Sequence, residues 1–475
     1  MKLIFEKSSP GRIGFAVPKT RLSPKKTFVP RENLRSDLNL VEVSEVDVVR
    51  HYTKLSTQNY GIDSGFYPLG SCTMKHNPRM NEETAAMAGF ALTHPLQPME
   101  LSQGNLELLY ELERILCEVC GMKKFSLQPA AGAQGELTGL MVAKAYFKKI
   151  GQNRPKVLVT DSSHGTNPAS ATVCGFEAVE VKSDSRGNVD LNDLKSKMSE
   201  EVAVLMLTNP NTLGLFDENI LEVTRIVHEK GGLVYCDGAN MNAIAGKTRP
   251  AEAGFDIIHL NLHKTFSTPH GGGGPGAGPV GVVEKLVPFL PMPTVEKNGD
   301  KFFFDFDKPD SIGKVKGFYG NFGVLVRAYT YIRAHGAEGI RKNSENAVLN
   351  ANYLLSRLKK DFHLAYDRLC MHEFVLSDKN FPNGITTLDL AKRLLDYGVH
   401  APTIYFPLIV HGAIMVEPTE TESKQTLDEF AQIMLRILGE AKNTPEVVKN
   451  APQNTLVGRL DAVKAAREPV LRWKP

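Results

Sequence analysis

Between about residues 104 and 262, short apolar runs alternate with segments of helical periodicity, and few folds accommodate that alternation. Helix-spaced apolar residues over 104–120 and 134–149 lead into Lys156-Val-Leu-Val-Thr160. Val179-Glu-Val181, a helix near 190–198, Val202-Ala-Val-Leu-Met-Leu207 and a helix over 217–230 follow. Gly232-Leu-Val-Tyr-Cys236 and Phe255-Asp-Ile-Ile-His-Leu260 close the series. Apolar runs without polar alternation read as strands covered on both faces, and strands separated by helices pair in parallel. The expected fold class is α/β, a mainly parallel sheet with helices on both faces.

The rest of the chain divides around this block. Residues 1 to about 45 are rich in Pro, Lys and Arg without periodicity, and read as an extended arm. A short helix then precedes the irregular string 61–78, whose length and mixture of Gly, Ser, Lys and aromatics suit a functional or mobile loop. Beyond Phe318-Tyr-Gly-Asn-Phe-Gly323, helices over 323–334, 337–359, 386–397 and 423–439 and strands at 371–377 and 412–417 predict a smaller α+β domain. The expected divisions are 1–100 (arm and loop), 101–320 (large α/β domain), 321–440 (small domain) and 441–475, a proline-bearing surface extension.

Composition excludes several classes. A net charge of +3 over 475 residues, with Lys and Arg dispersed, gives no nucleic-acid surface. No apolar stretch reaches the roughly 18 residues of a membrane span, and the N-terminus lacks a signal-peptide core. A cytoplasmic protein is expected, with its six scattered cysteines reduced. Cys117 and Cys120 form a C-x-x-C pair on a helix with no second pair at zinc spacing, so core packing is expected and no metal.

Five of the strand and helix junctions carry residues suited to one ligand. Lys264 follows the apolar run 255–262 and precedes Gly271-Gly-Gly-Gly-Pro-Gly-Ala-Gly278. An amine there suits Schiff-base chemistry, since lysines withdrawn from water lose charge readily. Asp237, at the end of run 232–236, suits a pyridinium nitrogen or a helix cap. Ala131-Gly-Ala-Gln-Gly-Glu136 opens a helix whose first amides lack partners; it is either a phosphate cradle, centred on Ala131 and Gly132, or an ordinary tight turn. His164, after strand 156–160, can stack on a flat ring or cap a turn. Asn209, after strand 202–207, can reach a phenolic oxygen or simply serve its Asn-Pro turn. Together with Ala239, these residues in chain order (phosphate loop, His164, Asn209, Asp237, Lys264) match the fold-type I architecture of enzymes that use pyridoxal phosphate (PLP), with its mainly parallel sheet of the seven-stranded type.

At the level of longer strings, the chain resembles the glycine cleavage system P-protein family, and within it the catalytic second subunit of the two-subunit form. The strings are Leu3-Ile-Phe-Glu-Lys-Ser8, Tyr67-Pro-Leu-Gly-Ser-Cys-Thr-Met-Lys75, Gln128-Pro-Ala-Ala-Gly-Ala-Gln-Gly-Glu136, Asp161-Ser-Ser-His-Gly-Thr-Asn-Pro168 and His263-Lys-Thr-Phe266. The resemblance implies glycine decarboxylation with transfer of the aminomethyl group to the lipoyl arm of the H-protein. It implies PLP held covalently by Lys264, its ring nitrogen by Asp237, its ring face by His164 and its phosphate near Ala131 and Gly132. It further implies a separate first subunit, in a heterotetramer of two unlike pairs; the length and composition of 61–78 suit a lid over the entry of the lipoyl arm. The alternatives are another fold-type I decarboxylase or aminotransferase acting alone, or a non-catalytic stabilising subunit.

Overall fold

The computed structural model describes residues 2–18, 21, 29–36, 38, 40–271 and 276–472, so Gly272–Pro275 of the glycine string lie outside the described residues. The chain forms two units, Met1–Ser64 with Arg459–Pro475, and Gly65–Gly458. In the first, the described part of the arm has only the 3-10 turns Phe5–Lys7 and Arg31–Asn33 before α1 (Glu45–Ser56). The Ser44 hydroxyl caps α1 by accepting from the Asp47 amide at 3.2 Å, which satisfies one of the orphan donors of a helix start.

The second unit is built on a seven-stranded sheet of order β1-β7-β6-β5-β4-β2-β3. Its strands are β1 (Lys124–Ser126), β2 (Lys156–Thr160), β3 (Glu177–Val181), β4 (Val202–Thr208), β5 (Leu233–Gly238), β6 (Ile257–Leu260) and β7 (Val280–Val282). β3, β2, β4, β5 and β6 pair in parallel, while β7 runs against both β6 and β1. The sheet thus matches the expected class. β1 and β7 escape sequence reading because each is three residues long, too short to show a period.

Strand geometry sends successive side chains to opposite faces, and both faces are covered. Leu158, Leu205, Val234, Cys236 and Ile258 join a core with α4 (Gln103–Cys120), α8 (Ile220–Glu229) and the first half of α9 (Phe322–Leu358). Val157, Val204, Met206, Tyr235 and Ile257 pack on the other side with α5 (Gly132–Lys149). Each fully buried Val or Leu contributes roughly 1.5–3 kcal/mol. Cys120 is fully buried and its sulfur lies 3.7 Å from that of Met241, a packing role. Shorter helices α2 (Arg79–Ala85), α3 (Ala88–Ala91), α6 (Thr166–Val173) and α7 (Leu191–Lys197) complete the large layer, and β8 (Thr294–Asn298) and β9 (Lys301–Asp305) form a separate hairpin.

The smaller layer is an antiparallel sheet of order β10-β11-β13-β12: β10 (His363–Leu364), β11 (Phe374–Ser377), β12 (Thr403–Ile404) and β13 (Ala413–Val416). It is covered by the second half of α9, α10 (Thr387–Asp396) and α11 (Lys424–Asn443) around Leu354, Phe374, Ile414, Leu427 and Phe430. α9 is broken at Gly336 (φ 62), where two separate helices were expected. The segment after 441 is not all surface extension. α12 (Pro445–Lys449) buries Val448 completely, with Ala441 and Ala451, an apolar face that the surrounding prolines obscure in the sequence. A helical turn, α13 (Ala462–Arg467), belongs to the first unit.

Candidate active site

The parallel strands β2, β4, β5 and β6 all end toward one cavity of about 690 Å³, at the carboxyl edge where sheets of this kind bind ligands. Ala131, Gly132, His164, Asp237, Ala239 and Lys264 all line it. Asn209 does not. Its Oδ1 accepts from the Asp217 amide at 3.0 Å, and Thr208 and Thr212 line the cavity beside it in sequence.

Ala131 is the N-cap of α5 and offers no side-chain cap, so the positive end of an eighteen-residue helix is bare toward the cavity. Gly132 is required by packing: a Cβ there would stand 2.3 Å from Asn261 Oδ1. Lys264 lies beyond the end of β6 at Leu260, in a turn where its amide donates to Asn261 O at 3.0 Å. The strand ends at Leu260, as the run 255–260 implied, which leaves Asn261, His263 and Lys264 to line the cavity.

Asp237, the buried carboxylate on β5, anchors the other end. Its Oδ2 accepts from His164 Nε2 at 2.8 Å and its Oδ1 from the Ala239 amide at 3.1 Å. His259 Nε2 stands 3.4 Å from Oδ1, and its Nδ1 meets the Tyr235 hydroxyl at 2.9 Å. Burial acts to raise the Asp237 pKa, but His259, His164 and the Ala239 amide outweigh it and hold the carboxyl well below the usual range. The Thr166 amide donates to His164 Nδ1 at 3.2 Å, which assigns the hydrogen of the neutral ring to Nε2. Burial works against the His164 cation, yet Asp237 and then Glu136 prevail and raise its pKa. His259 and His263, deprived of water, are pushed down to about 4 and about 3.

Two buried carboxyls shape the wall opposite. Glu373, just before β11, accepts from the Ser71 amide at 2.5 Å and the Ser71 hydroxyl at 2.9 Å. Glu417, just after β13, accepts from the Thr73 amide at 2.8 Å and hydroxyl at 2.6 Å, and from Asn240 Nδ2 at 3.1 Å. Ser71 (φ 59) and Thr73 (φ 52) both occupy the left-handed region, a strain of order 1–3 kcal/mol each that such contacts must hold. Lys75, almost fully buried, meets Glu420 at 2.6 Å and Thr265 O at 2.7 Å. Residues 70–75 are therefore not a free lid but a wall pinned at three carboxyls, with Gly70, Ser71 and Cys72 facing the cavity.

Sequence reading left out Glu136, His259, Asn261, His263, His270, Ser71, Cys72 and Thr403, among others. Glu136 carried a legible signal: it lies four residues beyond Gly132 on α5 and so shares its face. Glu373 and Glu417 carried none, since they act on residues about 300 positions away.

Residues 13–300 match the family described as "Glycine cleavage system P-protein", and 343–459 match "Glycine dehydrogenase, C-terminal domain". The chain belongs to the glycine cleavage system P-protein family. It is 59% identical over 476 residues to a probable glycine dehydrogenase (decarboxylating) subunit 2 of Caldanaerobacter subterraneus subsp. tengcongensis, covering 99% of this chain and 98% of that one. The protein of the same description from Alkaliphilus oremlandii is 58% identical, with 100% and 98% covered. Among solved structures, a glycine decarboxylase (P-protein) of the glycine cleavage system in inhibitor-bound form superposes with a TM-score of 0.72 at 19% identity, over 86% of this chain and 93% of that one. Glutamate decarboxylase of Lactobacillus brevis gives 0.66 at 15%, over 93% and 99%. At such identities these structures show the fold alone, a fold-type I α/β architecture.

Proposed function

We propose that the protein decarboxylates glycine with PLP as cofactor and passes the aminomethyl group to the lipoyl arm of the H-protein. The observation that carries this reading is the meeting of Lys264, Asp237, His164 and the bare start of α5 on one cavity, in a chain of this family. The cavity also fits such a group in its unmet polarity. Among the described residues, the buried Asn261 Oδ1, Thr208 Oγ1, His263 Nδ1 and His270 Nε2 find no hydrogen-bond partner, a costly condition unless a ligand supplies partners.

When bound, PLP supplies an electron sink for the pair released as CO₂ departs. Lys264 provides the amine that holds the aldehyde. Asp237, kept anionic by its neighbours, keeps the proton on the ring nitrogen. His164 would hold the ring, and the first amides of α5 at Ala131 and Gly132 would hold the phosphate. Ala239 fixes Asp237 through its backbone. Ser71, Cys72, Thr403 and Phe406 narrow the remaining space around the substrate and limit water.

The working unit in this proposal is a heterotetramer of two unlike pairs with P-protein subunit 1, in the cytosol, with a large cofactor domain at 101–320 and a small one at 321–440. Among the described residues no helix is long and apolar enough to cross a membrane. The test is exchange of labelled bicarbonate into glycine by this chain with subunit 1. Exchange that needs added lipoylated H-protein supports the reading; exchange indifferent to it points to a decarboxylase acting alone.

A further inference from the structure

Glu136 lies one turn into α5, lines the cavity, and has no role in the mechanism above. Its side chain is 3% exposed, with Oε1 3.4 Å from His164 Nε2. Ser170 on α6 donates to its Oε2 at a long 3.5 Å. Asp237 and Tyr235 face it from β5 and Lys264 from the turn after β6, while His259 stands behind Asp237. Two carboxyls thus crowd one imidazole, and that imidazole's single hydrogen goes to Asp237.

Like charges this close, out of water, are not both carried when a proton can be kept. Asp237 is the anion because it receives the better donors. Glu136 keeps its proton, since burial and then the Asp237 charge push it up to about 8. We infer that Glu136 is a second acid of the cofactor's ring-nitrogen seat, which gives its proton to solvent as a protonated pyridine ring settles against Asp237. The inference rests on the proposed cofactor. A cation at Asp237 cancels the charge that held the Glu136 proton, so the carboxyl ionises and the seat then carries two anions around one cation. The bond broken is the Glu136 O–H, the electron pair stays on the carboxylate, and the buffer takes the proton.

Cofactor uptake must then depend on pH. Because the bound state favours ionised Glu136, affinity rises with pH below about 8, approaching tenfold per pH unit, and flattens above it. The experiment takes the full-length chain freed of cofactor and titrates PLP by absorbance from about pH 6 to 9. Calorimetry in two buffers of different ionisation heat counts the protons released. Wild type is expected to release up to one proton more than Glu136→Gln, and the variant's affinity is expected to lose the rising limb. Equal release and equal slopes in the two proteins overturn the inference. Should the variant not fold, infrared difference spectra of wild type decide: a protonated-carboxyl C=O band must disappear on PLP addition, and its persistence sinks the idea. A chain that takes up no PLP at any pH brings down the functional reading itself, an outcome distinct from uptake without proton release.

Discussion

Asp237 with Glu136 at the edge of the large sheet, and Glu373 with Glu417 at the ends of the small one, are both pairs of carboxyls withdrawn from water. In each pair burial and then a like-charged neighbour push one member up to about 8. The pairs differ in what meets their oxygens. Ser71, Thr73 and Asn240 donate to Glu373 and Glu417 at 2.5–3.1 Å, which closes that pair around a strained loop. Glu136 meets a hydroxyl at a long 3.5 Å and the His164 ring at 3.4 Å, and faces a cavity bordered by Asn261, Thr208 and His263, each with a buried polar atom that finds no partner among the described residues. A perturbed carboxyl therefore does not by itself mark a site. A pair saturated by donors is a clamp, and a pair left open toward a ligand-sized space is a place for chemistry.

The comparison breaks first at Lys264. Lys264→Ala should abolish covalent attachment of PLP, read by borohydride reduction and peptide mapping, together with all bicarbonate exchange, while the thermal transition stays near that of wild type. Asp237→Ala comes next: the cofactor can still be held through Lys264, but exchange should fall by about 10²–10³-fold, as when a group stabilising developing charge is lost. If exchange survives either change, the open pair is not the seat of chemistry.

On the clamp side the readout moves from rate to stability. Lys75→Met strands Glu420 without its partner in a buried place, and calorimetry should show a loss of about 3–5 kcal/mol. Glu417→Ala, which leaves the Thr73 amide and the Thr73 hydroxyl without an acceptor, should cost roughly 2–3 kcal/mol with Lys264 still reactive toward PLP. A Glu417 variant of normal stability would mean that the loop does not depend on the clamp.

The smallest effect is a dependence on pH. Glu373 is raised in the folded protein, so it opposes folding increasingly as pH climbs from its ordinary range near 4.5 to about 8, and by a constant amount above that. Glu373→Gln lacks this titration. The variant, in which an amide NH₂ replaces one of the two oxygens that accept from Ser71, should be the less stable protein near pH 5 and should recover ground on wild type as pH approaches 8. Denaturant midpoints of both proteins across this range show it; a gap that widens with pH contradicts the raised carboxyl.

Local pattern alone determined much of this protein. The short apolar runs marked four of the five parallel strands because their side chains are buried on both faces, the edge strand β3 showing only Val179 and Val181, and the ends of those runs marked Lys264, Asp237 and His164 because parallel strands deliver their C-terminal residues to one edge. Asn209 stands apart at that same edge: it is not among the residues lining the cavity, and only packing shows that its oxygen accepts from the Asp217 amide. Tertiary structure alone decided that 70–75 is a pinned wall and that Glu136 stands at the imidazole shared with Asp237. It also decided that Glu373 and Glu417 are saturated. Hydrogen bonds and charge interactions act over a few ångströms of space, and the chain brings Ser71 to Glu373 across 302 positions of sequence. No periodicity or local motif extends over such a separation.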